Sequence, residues 1–236
     1  MEARPDPRDL LRGNAYPGRG IIIGRDAGSA RDIIAYFIMG RSFNSRNRVF
    51  AETDDGIRTA ARDPERLRDP SLVIYHPVRR MRDGRVVVTN GDQTDTIREA
   101  LAGGGTFRAA LLTREFEPDP PLYTPRISGI LNPDGSYALS ILKSAHGDPG
   151  CVLRHFFEYS APIPGLGHLI HTYEHDGDPP PSFRGEPRPV SIDVSGGLDK
   201  FAGDVWDALD EDNRVALYAY ASGSAARAPE RVIINR

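Results

Sequence analysis

The chain has one cysteine, Cys151, one tryptophan, and only two lysines, Lys143 and Lys200, among its 236 residues. A single cysteine excludes an intrachain disulfide and fits a reducing compartment. Long apolar runs are missing too. The longest, such as residues 33–39, fall far short of the roughly 20 residues that a spanning helix needs. The N-terminal residues are charged and proline-containing, without the apolar centre of a signal peptide. The expectation is a soluble cytoplasmic protein. An excess of one charge sign is likewise absent. Thirty basic residues face 33 acidic ones, a net charge of -3, so there is no general attraction to nucleic acid or to an anionic membrane. What is present, 39% hydrophobic and 27% charged residues, is ordinary globular chemistry, in a chain long enough to bury a core without disulfides or a structural metal.

Almost all of the positive charge is arginine. A GC-rich genome accounts for the total, but the planar guanidinium also suits phosphate, so local clusters carry the information. Residues 1–14 read as a flexible N-terminal arm and 15–236 as a single domain. Strand-like runs fall at 20–24, 33–39, 72–75, 86–89, 127–131, 137–142, 152–157, 169–173 and 215–220. They are short, rich in β-branched and aromatic residues, and bounded by Gly, Pro, Asn or Asp. Asp83-Gly84 and Pro133-Asp134-Gly135 signal hairpins. Three segments have helical spacing: Ile97, Ala100, Leu101; Phe107, Ala110, Leu111 behind Thr106 as N-cap; and Leu198, Phe201, Ala202, Val205, Leu209. Many strands and few helices predict a layered α+β sandwich. Residues 176–189, proline-rich and polar, read as a loop with the character of a lid.

Four polar segments stand out. Gly40-Arg41-Ser42-Phe43-Asn44-Ser45-Arg46-Asn47-Arg48 follows a strand directly and offers many donors and little apolar surface, the set an anion requires; Arg41 and Arg46 are its candidate contacts. Thr89-Asn90-Gly91-Asp92-Gln93-Thr94-Asp95-Thr96 joins a strand to a helix. Capping explains one of its oxygens, while Asn90, Asp92 and Asp95 together with the amides of the helix start suggest orientation of hydroxyls or binding of an anion. Phe116-Glu117-Pro118 to Tyr123-Thr124-Pro125-Arg126 is an extended loop across which Glu117 and Arg126 would meet, with Thr124 as a further candidate; its bland alternative is a surface ion pair. Tyr75-His76-Pro77 places a phenol at the end of a predicted strand.

Two apparent motifs carry less. His171-Thr172-Tyr173-Glu174-His175 spells an inverted zinc-peptidase signature. That chemistry needs the histidines one helical turn apart, and these residues favour strand, where positions four apart lie about 13 Å from each other. No metal is expected. Cys151 with His155 has the same strand spacing, so Cys151 reads as a buried strand cysteine.

Tyr16-Pro-Gly-Arg-Gly-Ile-Ile-Ile-Gly24, Ala35-Tyr-Phe-Ile-Met-Gly-Arg-Ser-Phe43, Thr89-Asn-Gly-Asp-Gln-Thr-Asp-Thr96 and Tyr123-Thr-Pro-Arg-Ile127, in this order and spacing, resemble the archaeal-type IMP cyclohydrolases and their bacterial relatives. A weaker echo is Thr172-Tyr173-Glu174. The resemblance implies a four-layer αββα sandwich like that of the N-terminal-nucleophile hydrolases, without self-cleavage. It implies closure of the ribonucleotide FAICAR to IMP with loss of water, no cofactor, no metal, and a homo-oligomer. Carried over by position, the implied site is Arg41, Tyr75, Asn90, Asp92, Asp95, Glu117 and Arg126. On that reading Arg41 and Arg126 grip phosphate or polarise the carboxamide. Glu117 and Tyr75 move protons, in either assignment of acid and base. Asn90, Asp92 and Asp95 orient base and ribose. The chain departs from the shorter archaeal pattern in its N-terminal arm and in the proline-rich insertion after Glu174. Two rival readings use the same fold: a non-catalytic purine-nucleotide-binding protein, and an amide hydrolase with Cys151 or the serines of the 42–45 loop as nucleophile.

Overall fold

The computed structural model describes residues 4–67, 73–223 and 228–236. They form an α+β structure of two antiparallel sheets with few helices. The first sheet has the order β11-β10-β1-β2-β12-β13, built from β1 (Arg19–Arg25), β2 (Asp32–Met39), β10 (Leu166–His171), β11 (Arg188–Ser191), β12 (Arg214–Ala221) and β13 (Glu230–Asn235). The second runs β3-β4-β5-β6-β7-β8-β9, from β3 (Arg48–Thr53), β4 (Gly56–Ala61), β5 (Val78–Arg80), β6 (Val86–Thr89), β7 (Arg126–Leu131), β8 (Tyr137–Ala145) and β9 (Asp148–Tyr159).

Side-chain alternation explains why the central strands read as continuous apolar runs. In β2, Ile34, Tyr36 and Ile38 enter the core between the two sheets, with Ile21 and Ile23 of β1 and Val86, Val88, Ile127 and Leu139 of the facing sheet. Ile33, Ala35, Phe37 and Met39 point the other way, onto α5 (Leu198–Ala208), which contributes Phe201, Ala202 and Val205. Both faces are therefore covered, and every residue of β2 is buried. The outer face of the second sheet carries α3 (Gln93–Ala102) and α4 (Phe107–Leu112), whose Ile97, Leu101, Phe107 and Leu111 meet Val87, Ile130 and Leu142.

The Asp83-Gly84 and Pro133-Asp134-Gly135 hairpins join β5 to β6 and β7 to β8, and Thr106 caps α4 by accepting from Ala109 N at 3.1 Å. Other expectations are corrected. The segment read as a loose arm contains α1 (Pro7–Leu11), and its Leu11 is buried with the α5 core. The expected strand at 72–75 does not form over Val73–Tyr75, and Leu72 lies outside the described residues. Tyr75 instead runs beside β4, pinned by Thr59: Thr59 N donates to Tyr75 O at 2.9 Å and Tyr75 N to Thr59 Oγ1 at 2.8 Å. Cys151 is exposed rather than buried, because β9 is an edge strand paired only with β8 and its first residues project beyond the packed core. Among the described residues no helix is long and apolar enough to cross a membrane.

Candidate active site

A cleft of about 260 Å³ opens where the start of β1, the loop after β2 and the 117–124 loop converge. Arg19, Arg41, Arg48, Glu117, Asp119, Thr124, Tyr16 and Tyr173 are on its wall. Each arrives for a local reason. Arg41 leaves the end of β2, and α2 (Phe43–Arg46) follows at once, started by Ser42 and Ser45 in a reciprocal capping box. Arg48 begins β3 and turns inward to near-complete burial, with Nε donating to Ser45 O at 2.8 Å. The 117–124 loop closes on itself through Glu117 N donating to Thr124 O at 2.9 Å, and Asp119 receives Thr124 N and Oγ1 at 2.7 and 2.5 Å. Thr124 Oγ1 also lies 2.7 Å from the Tyr173 hydroxyl. Tyr173 in turn stacks on Tyr16, and the Arg41 guanidinium sits 4.7 Å above the Tyr16 ring.

Glu117 is the chemical centre of this cleft. It is 3% exposed, and burial pushes its carboxyl up to about 7, against the opposing pull of Arg19 and Arg126. A carboxyl poised there can both give and take a proton at neutral pH. For Arg19, burial works against the charged form, but Tyr16 and Glu117 raise it above its ordinary value. Among the described residues its Nε is buried without a hydrogen-bond partner, and so is Asn44 Oδ1 on the same wall. Burial and the Arg19 charge pull Arg48 below the ordinary arginine value. One buried and one half-buried arginine beside one half-neutral carboxyl leave surplus positive charge, an environment for an anion.

Arg126 does not pair with Glu117. Its Nη1 is 2.7 Å from both Asp92 Oδ1 and Gln93 Oε1. Asp92 holds the N-cap position of α3 without capping it, since its second oxygen receives Arg114 Nη2 at 2.6 Å. Those two arginines keep the Asp92 carboxyl below its usual range against the effect of burial. A Cβ at position 91 would collide with Arg126 Nη1 and Gln93 Oε1, so Gly91 is what lets this group pack. Asn90 is committed to the backbone: Nδ2 donates to Pro125 O and Oδ1 accepts from Ile127 N, both at 2.9 Å. It ties the start of α3 to the start of β7. Tyr75 is nearly buried, with its hydroxyl 2.9 Å from that of Tyr36.

Of the sequence candidates, Arg41, Glu117 and Thr124 therefore share the cleft, with Arg126 and Asp92 meeting next to Glu117 around Gly91, while Tyr75 is off the cleft wall with its hydroxyl on Tyr36. Arg46 turns away to Gly40 O and Asn213 Oδ1. Asp95 faces Arg79 at 3.1 Å and His76 at 3.8 Å, off the cleft wall. Sequence reasoning missed Arg19 and Asp119, and named Arg48 only as part of the polar segment after β2. The only signal for Arg19 was an arginine between two glycines at the mouth of an apolar run. The apparent zinc motif is not helical: β10 ends at His171, Tyr173 bridges to Ser182, and the Nδ1–H groups of His171 and His175 donate to the carbonyls of Tyr173 and Asp176. Among the described residues no group of three or more His, Cys, Asp or Glu side chains is arranged to hold a metal.

The family model described as IMP cyclohydrolase-like protein matches residues 16–225, and the chain belongs to that family. Proteins named IMP cyclohydrolase from two strains of Halobacterium salinarum are each 33% identical over 134 residues, 55% of this chain and 63% of theirs. One from Methanocella arvoryzae is 30% identical over 154 residues, 61% of this chain and 74% of its own. The matched stretch thus spans less than two thirds of the Halobacterium proteins.

Proposed function

We propose that the protein is an IMP cyclohydrolase, an enzyme that closes FAICAR to IMP with loss of water in purine biosynthesis, acting in the cytoplasm on a small ribonucleotide. Its two sheets with helices outside them support the finer reading of a four-layer αββα sandwich resembling the N-terminal-nucleophile hydrolases, without self-processing, as a single domain into which α1 also packs. The observation that carries the function is Glu117: a buried carboxyl pushed up to about 7 on the wall of an arginine-lined cleft.

The chemistry asks for that combination. The carboxamide nitrogen of the substrate bonds to the formyl carbon. One proton leaves that nitrogen, another leaves the formamide nitrogen, and both depart with the formyl oxygen as water. Amide nitrogen is a weak nucleophile, so holding the two groups in a near-attack pose contributes on the order of 7–11 kcal/mol, more than one acid or base at about 10²–10⁴-fold. Arg19, Arg41 and Arg48 supply the anchoring charge for the phosphate. Arg126, oriented by Asp92 and Gln93, faces the carboxamide. Glu117 handles the protons. Asn90 serves by fixing the loop rather than by touching substrate.

The test is an ultraviolet assay of the purified protein with FAICAR and no added metal. Purine absorbance rising well above the uncatalysed rate, and lost in Glu117→Gln, is expected. Tight IMP binding without turnover would instead favour a nucleotide-binding role and overturn the enzymatic reading.

A further inference from the structure

Lysine is rare in this chain, and one of its two lysines is nearly buried. Lys143, 9% exposed, stands on β8 two residues beyond Ile141, whose side chain enters the core between the sheets. An ammonium has three N–H groups to place. Among the described residues that of Lys143 finds one acceptor, Phe183 O, and no carboxylate in an ion pair. The other lysine, Lys200, is exposed and paired with Asp204 at 2.6 Å. A cation taken out of water with donors left over is costly unless an anion meets it.

There is room for one. Lys143 is on the wall of a cavity of about 590 Å³, separate from the arginine cleft but sharing Leu122 with it. Arg184 and Ser144 stand on the same wall, and among the described residues no carboxylate does. The Arg184 side chain likewise has no ion-pair partner among those residues, since Glu174 accepts from its backbone N. Burial, and then the Arg184 charge, hold the Lys143 ammonium below its ordinary value, against the pull of Glu174. An oxyanion between the two cations would relieve both effects. Pro121, Leu122, Leu153 and Pro180 give the remaining wall an apolar face. Convergent donors on a mostly apolar wall, in a volume of this size, are what a small-molecule site needs.

We propose that this cavity is a second ligand site, taking a small phosphorylated molecule with its phosphoryl oxygens on Lys143 and Arg184 and a ring against the prolines and leucines. A phosphoryl group brings three acceptor oxygens and nearly two negative charges to a wall that offers only donors, where a carboxylate brings two oxygens and one charge. The site stands apart from the cyclohydrolase reading and does not need it. Because Leu122 belongs to the loop that carries Glu117, an occupant touches the back of the cleft wall.

Two lysines make the test direct. In protein isotope-labelled at lysine Cε, NMR shows one side-chain signal for each, and Lys200→Gln, at an exposed position, assigns them. Phenyl phosphate is the probe, added at constant ionic strength. The Lys143 signal should shift and saturate while the Lys200 signal stays. Inorganic phosphate, which lacks the ring, should need at least about tenfold more to reach its midpoint. Benzoate, with the ring but a single charge, should also bind more weakly. Arg184→Ala, at an exposed position, should raise the phenyl phosphate midpoint roughly tenfold, the scale of one charge-assisted contact. A Lys143 signal that never shifts, or shifts no more than that of Lys200, overturns the site. So does a midpoint unchanged in Arg184→Ala. Benzoate binding as tightly as phenyl phosphate overturns the choice of a phosphorylated ligand.

Discussion

Arg126 Nη1 lies 2.7 Å from Asp92 Oδ1, and this pairing keeps the guanidinium from forming an ion pair with Glu117. Glu117 is left with burial as its dominant influence, and its carboxyl rises from 4.5 to about 7. A carboxyl raised in the folded state contributes stability that is complete below its unfolded value and lost as pH climbs through the folded one. Ionised Glu117 therefore destabilises the fold at alkaline pH. Glu117→Gln should unfold at higher urea concentration than the wild type at pH 8.5, by up to about 3 kcal/mol at 1.36 kcal/mol per unit, with much less difference at pH 4.5. The same variant should lose at least about tenfold in turnover, the lower edge of what one acid or base supplies. Gain of stability with loss of activity marks a residue kept for chemistry.

Arg126→Ala removes the partner shared by Asp92 and Gln93. Asp92 still holds Arg114 at 2.6 Å, so the start of α3 should stay folded. With one cation gone, the Glu117 carboxyl should rise further. The expected outcome is a far-ultraviolet circular dichroism spectrum like that of the wild type, with kcat/KM reduced at least about tenfold, the scale of losing one charged contact.

A cleft side chain, Arg41, reaches the proline-rich segment that leads into β11. Arg41 Nη1 donates to Asp176 Oδ1 at 2.6 Å and to Gly177 O at 2.7 Å. Arg41→Ala should free this end of the loop. Limited proteolysis is expected to cut within 176–189 several times faster than in the wild type, since local opening governs cleavage. An unchanged cleavage rate would show that the loop is held by Lys143 and Glu174, which bond to Phe183 O and Arg184 N.

Much of the fold was legible because strands buried on both faces leave continuous apolar runs: Ile21-Ile22-Ile23 and 33–39 carry their position in their composition. Of the missed strands, three lack that mark, whereas β13 carries Val232-Ile233-Ile234 and was overlooked all the same. β3 has exposed and half-buried residues and sits at a sheet edge, β5 has only three residues, and β11 contains Pro189. In the site, the density of arginine after β2 was readable, but not which guanidinium enters. Arg46 and Arg48 are two residues apart, and only the turn of the chain into β3 sends Arg48 inward and Arg46 to Asn213. Glu117 and Arg126 were both found, yet the pairing expected between them goes to Asp92, because the α3 start reaches Arg126 first across Gly91.

Cys151 gives a quick check on the β9 edge. It is exposed, so a thiol reagent such as DTNB should titrate one thiol per chain in the native protein within minutes. Reaction only after denaturant would mean that the edge is covered in solution.

The most direct test of the account is the pH dependence of kcat/KM for FAICAR, which reports the free enzyme's essential groups. With Glu117 as the proton acceptor, the rate should rise with pH through an inflection near 7, and Glu117→Gln should abolish that limb. A profile flat across that region, or an inflection that persists in Glu117→Gln, would contradict it.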